Sequence, residues 1–113
     1  MNQVLISNTG PIIALAGVNC LDLLRDLYPQ ILVPKAVDNE IKSCGHSCIG
    51  LQEYMTAQWI EVRDHVTPDP LLMTELDSGE AAVLSLALQE NYSRVLIDER
   101  KARKIARMVY NLD

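Results

Sequence analysis

The chain has 113 residues, a net charge of −5 and a pI of about 4.9. That length suits one domain, residues 1–113, and a hydrophobic fraction of 49% supports a packed core and excludes a disordered chain. The acidic balance excludes nucleic-acid binding by a uniformly basic surface, and no apolar run approaches the ~20 residues that span a bilayer.

Val4-Leu5-Ile6-Ser7 is a short apolar run ending in Asn8-Thr9-Gly10-Pro11, the pattern of a buried parallel strand and a turn. Pro11 can open a short helix through Ile12, Ile13, Leu15 and Ala16, because the first helical turn does not need its missing N–H. Asn19 or Asp22 starts a second helix with Leu21, Leu24 and Tyr28 on one face, and Pro29 breaks it. Ile31-Leu32-Val33 reads as the next strand. Pro34 opens a helix that carries Ala36, Val37, Glu40 and Ile41 on one face and stops at Gly45. Leu51 to Met55 is a short helix, Trp59 to Val62 a weaker strand, and Thr67-Pro68-Asp69-Pro70 a loop. Asp77-Ser78-Gly79-Glu80 begins the clearest helix, with Val83, Leu84, Ala87 and Leu88 as its apolar face and Asn91-Tyr92 as its close. Arg94 to Asp98 is a strand with a polar end, and Glu99 to Tyr110 the last helix.

Short apolar strands alternating with helices imply right-handed crossovers and a parallel sheet covered on both faces. Ligands of such sheets bind outside the carboxyl ends of the strands. That rule picks out Asn8 after the first strand and Asp98 after the last. The helices beginning at Pro34 and near Glu80 leave from the same edge. Glu40 shares a stripe with Val37 and Ile41, and Glu80 is in line with Leu84 and Leu88. An inward carboxylate is costly unless it is paired, and several converging on one edge suit Mg²⁺ or Mn²⁺ and phosphodiester hydrolysis.

Four ordered blocks carry a family resemblance: Val4 to Leu15, Ile31-Leu32-Val33-Pro34 through Glu40-Ile41, Gly79 to Leu84, and Val95 to Arg100. Together they resemble the PIN-domain nucleases, most closely the small prokaryotic, VapC-like branch, over essentially the whole chain. The resemblance implies a three-layer α/β/α sandwich around a parallel sheet. It also implies an endoribonuclease using Mg²⁺ or Mn²⁺, a homodimer, and for many relatives a toxin's role under a cognate antitoxin. Its metal-site and catalytic positions fall on Asn8, Glu40, Glu80 and Asp98, with Glu99 as an extra acid. Ser7 or Thr9 would orient a water or phosphate oxygen, and Arg100 and Arg103 would meet RNA phosphates.

Two features depart from the family pattern. The first acid is Asn8, whose amide oxygen can ligate a metal but brings no charge, so the site binds metal more weakly or is inactive. The chain stops after the last helix, so the expected sheet lacks the family's C-terminal edge strand. An exposed neighbouring edge would favour pairing with a second copy.

Each candidate also has a purely structural reading. Glu80 can complete a capping box with Asp77, Asp98 can cap the last helix, Asn8 can be a turn residue, and Lys101 and Lys104 can belong to a solvated helix face. Cys44-Gly45-His46-Ser47-Cys48 lacks the spacing and second ligand pair of a zinc site, and three cysteines without a leader read as cytosolic thiols. His65 reads as a lone loop residue. The chemistry expected is a metal-dependent ribonuclease in the cytoplasm. A catalytically degenerate PIN domain that binds or dimerises, or a hydrolase of another phosphate ester, are the alternatives.

Overall fold

A computed structural model describes residues 4–43 and 49–108 of the chain. Four strands, β1 (Val4–Ser7), β2 (Gln30–Pro34), β3 (Ile60–Arg63) and β4 (Arg94–Leu96), form one sheet in the order β3-β2-β1-β4. All three pairings are parallel. The connections carry helices α1 (Thr9–Gly17), α2 (Asp22–Leu27), α3 (Lys35–Lys42), α4 (Leu51–Thr56), α5 (Pro70–Glu75) and α6 (Ser78–Gln89), with α7 (Arg100–Met108) after β4. Two crossovers step one way from β1 and the third returns across the sheet. Right-handed connections therefore put helices on both faces, giving a three-layer α/β/α arrangement.

The central strands are the core. Leu5, Ile6, Ile31, Leu32 and Val33 are buried and pack with Ile12, Val37, Ile41, Leu72, Val83, Leu84 and Leu86. With no Phe in the chain, small aliphatic side chains let the layers approach closely. Helix α6 is buried on nearly every side, from Gly79 to Ala87, while Leu88 is exposed. The single apolar face read from sequence was too narrow, because residues as small as Ala81 and Ala82 hide the rest of the helix.

Several boundaries moved, each for a local reason. Helix α1 starts at Thr9 rather than Pro11, because Asn8 is extended and its side chain accepts the Thr9 N–H at 2.8 Å. The segment read as a loop ending at Pro70 runs into α5, whose Asp69 cap accepts the Leu71 N–H at 3.0 Å and whose Pro70 fills the first turn. Strand β4 stops at Leu96, releasing Ile97 and Asp98 from the ladder. Helix α3 ends at Lys42 rather than at Gly45, with the Ser43 N–H capping it on the Asn39 carbonyl; Gly45 itself lies outside the described residues, as do Cys44, His46, Cys48 and Tyr110.

Helix α3 corrects the sequence reading most sharply. Its buried residues are Val37, Asp38 and Ile41, and Glu40 is exposed. Asp38 is only 2% exposed. The Tyr54 hydroxyl donates to its Oδ1 at 2.6 Å, and the ammonium groups of Lys35 and Lys42 approach Oδ2 at 3.5 and 3.2 Å. Burial alone would push this carboxyl up, but Tyr54 and the two lysines outweigh it and hold it below the usual carboxylate range. Burial, and then the Asp38 carboxylate, push the Tyr54 hydroxyl well above its ordinary value. The contact fastens α4 to α3.

Candidate metal centre

The strand order changes direction at β1: β2 and β3 lie on one side and β4 on the other. That switch point, outside the carboxyl ends of β1 and β4, is where open parallel sheets hold ligands. The register pairs Ser7 with Leu96, and the Asn8 N–H donates to the Leu96 carbonyl at 3.0 Å. Asn8 therefore leaves β1 beside Ile97 and Asp98 as they leave β4.

Helices α1 and α6 begin alike. Asn8-Thr9-Gly10 and Asp77-Ser78-Gly79 each run Asn or Asp cap, hydroxyl residue, glycine. In both helices the glycine lies against a carboxylate from another element. A Cβ on Gly10 would fall inside the Asp98 carboxylate. A Cβ on Gly79 would sit 2.9 Å from Glu40 Oε1, 3.5 Å from Asn8 Oδ1 and 3.6 Å from Asp77 Oδ1. Glycine costs a helix ~1 kcal/mol relative to alanine, so these two positions trade helix propensity for room around acids. Glu40, exposed rather than inward, still reaches this spot: the Thr9 hydroxyl donates to its Oε1 at 2.7 Å.

Glu80 is 8% exposed and completes the capping box. Its backbone N–H donates to Asp77 Oδ1 at 2.8 Å, and its Oε1 accepts the Asp77 N–H at 3.4 Å. Burial raises its proton affinity, and the negative charges of Asp77, Glu99 and Asp98 raise it further, against a lowering by the backbone of Asp77. No basic side chain is among the groups that shift it. Glu99, not Asp98, supports the start of α7, since its Oε2 accepts the Ala102 N–H at 2.7 Å. Asp98 is exposed and accepts no hydrogen bond from a described residue.

The structure thus brings Asn8, Glu40, Glu80 and Asp98 to one edge and adds Asp77 to them. Thr9 lies in the same place. Ser7 does not meet the surface: it is fully buried and its hydroxyl donates to the Asn8 carbonyl at 3.0 Å, so it steadies Asn8 instead of facing a phosphate. Arg100 and Arg103 are exposed on α7. Asp77 and the two glycines were missed as site features, although the repeated cap-hydroxyl-glycine pattern was there to find.

The donor set is all oxygen, mostly carboxylate, which is the chemistry of a hard divalent cation. Among the described residues, no three Asp, Glu, His or Cys side chains are drawn together tightly enough to enclose an ion. Glu40 and Asp98 are exposed, the more accessible members of the set.

A family profile described as a PIN domain matches residues 4–110. The chain belongs to the PIN-domain family. The match covers all the described strands and helices, so this sheet is a PIN-type nuclease fold. PIN domains generally depend on a divalent cation and act on RNA, in keeping with the oxygen-rich edge of the sheet. No curated protein and no solved structure matches the chain. Among the described residues, no helix of this PIN domain is long and apolar enough to cross a membrane.

Proposed function

We propose that this PIN domain is a cytoplasmic endoribonuclease that works with Mg²⁺ or Mn²⁺ held by Asn8, Glu40, Glu80 and Asp98. The observation that carries the reading is Glu80. It is a buried carboxylate set among further acids, with no basic side chain among the described residues shifting it, at the switch point of a nuclease-type fold. When bound, a divalent cation supplies charge neutralisation at the phosphate and an acidified water.

The chain's own residues do the rest. Asp98 and Glu40 present exposed carboxylates to the incoming group, and Glu80 lies deeper. The Thr9 hydroxyl holds Glu40 in orientation, the buried Ser7 hydroxyl donates to the Asn8 backbone carbonyl, and the Thr9 N–H holds the Asn8 side-chain oxygen. Arg100 is two residues past Asp98 and Arg103 one turn further, where each can meet a phosphate oxygen as a bidentate donor.

Purified protein with Mg²⁺ or Mn²⁺ should cut single-stranded RNA, and EDTA or Asp98→Ala should stop it. RNA left intact under every metal condition would sink the proposal. The second reading, a degenerate PIN domain that binds or dimerises, is favoured by one observation: the Asn8 oxygen has no charge and already accepts the Thr9 N–H. Absence of divalent binding by calorimetry, with Asn8→Asp restoring it, would move the assignment there. A role as the toxin of a toxin–antitoxin pair would follow only from the nuclease reading, and growth arrest on expression, relieved by a co-expressed neighbouring gene, is its test.

A further inference from the structure

The basic side chains fall into two sets. Before β4 each has a partner: Lys35 and Lys42 at Asp38, Arg63 at Glu90 Oε1 (3.9 Å), and Arg25 over the Trp59 ring at 5.9 Å. Arg100, Arg103, Lys104 and Arg107 are all exposed on α7, and no ion pair joins any of them to a described acid. They stand at positions i, i+3, i+4 and i+7, which is one continuous face of a helix. The opposite face buries Ala102 and Ala106 and half-buries Ile105.

This arrangement works against the helix. Like charges three and four residues apart repel, and α7 contains no Asp or Glu to relieve them. Arg100 sits in the first turn, where the helix dipole disfavours a cation. A local conflict of this kind, in a chain of net charge −5, marks a surface shaped for an outside anion.

We propose that the outer face of α7 is the track on which single-stranded RNA lies beside the acidic pocket, with Lys104 and Arg107 as phosphate contacts beyond Arg100 and Arg103. The pocket end of the track is Arg100, because Asp98 and Glu99 immediately precede it. Seven residues of helix extend ~10 Å, room for more than one phosphate of the strand. The positive track draws in the phosphates that a purely acidic pocket would repel. The cleavage step rests on the nuclease reading above, whereas binding along α7 does not.

The test separates the two. Binding of a fluorescent single-stranded oligoribonucleotide is followed by anisotropy in EDTA, where no cutting occurs, across a salt series. Lys104→Gln with Arg107→Gln should weaken binding roughly tenfold and flatten the slope of log K against log salt by about 0.7 for each lost contact, equally for unrelated sequences. Arg25→Gln, which removes one positive charge elsewhere, should change neither quantity. Unaltered affinity and slope in the α7 variant would overturn the track. Polyglutamate competing as well as RNA would also overturn it, in favour of an acidic protein partner. If α7-dependent binding persists while no metal supports cleavage, the nuclease reading fails and the track stands.

Discussion

Asp38 and Glu80 are both buried carboxylates near helix starts, and their surroundings are opposite. Asp38 has a tyrosine hydroxyl and two lysines around it, all supplied by the chain. Glu80 has Asp77, Asp98 and Glu99, with, among the described residues, only the Asp77 backbone to offset them. The first is a charge whose cost the fold has already met, so it reads as architecture. The second is left electrostatically incomplete by the described residues, which is the kind of perturbed group that functional sites use. Burial of an acid therefore carries little functional information until the sign of its neighbours is known.

The comparison can be broken most directly at Glu80. Glutamine keeps a capping box, so Glu80→Gln should fold normally yet lower Mg²⁺-dependent RNA cleavage by at least about 100-fold. Because the Glu80 carboxyl is raised, its ionisation penalises the fold as pH climbs past the ordinary carboxylate range and through the raised value. Without metal, the glutamine variant should thus match or exceed the parent's Tm at pH 7. Added Mg²⁺ should raise the parent's Tm but not the variant's. Equal cleavage by both proteins would remove Glu80 from the site.

Asp38 should behave in the opposite sense. Asp38→Ala strands the buried Tyr54 hydroxyl and should cost about 1–3 kcal/mol, read as a lower midpoint in urea, with the metal response retained. Its folded carboxyl is lowered, so its stabilisation is present above the ordinary carboxylate range and is lost as pH falls through the lowered value. The gap between parent and Asp38→Asn should therefore be open at pH 7 and close in acid. A gap that widens in acid would contradict the assignment of Asp38 as a compensated charge.

A smaller effect is expected from adding charge where the site has none. Asp caps a helix as well as Asn, so Asn8→Asp should keep α1 intact and tighten Mg²⁺ binding by roughly tenfold in calorimetry. Unchanged affinity would place Asn8 outside the ligand set. Smallest is Gly79→Ala. Helix propensity gains up to ~1 kcal/mol, while Glu40 Oε1, 2.9 Å from the new methyl, must turn aside. Chemical denaturation should show little net change, and cleavage should fall a few-fold through the displaced Glu40.

The elements were largely legible because strands such as Val4–Ser7 and Gln30–Pro34 are short apolar runs bounded by Asn, Pro and Gly, and local chemistry fixes those boundaries. Helix α5 was also legible, in Asp69-Pro70, but a proline after an acid was taken for a loop. The α3 face was not. An eight-residue helix with acids at 38 and 40 leaves two neighbouring sectors equally plausible, and the partner that decides between them, Tyr54, is sixteen residues away. Lys35 and Lys42, spaced about Asp38 at helical intervals, were the available hint.

By itself, then, the sequence determined the alternation of strands and helices, the family, and the presence of acids at the strand and helix ends. The elements and the acids follow from periodicity and capping, which act over a few residues, and the family from the resemblance of four ordered blocks. Only the tertiary structure decided which acid is neutralised and which is not. Charge compensation depends on side chains that the sheet order brings together, such as Asp98 against Gly10 and Glu40 against Gly79, across separations where sequence spacing carries no distance.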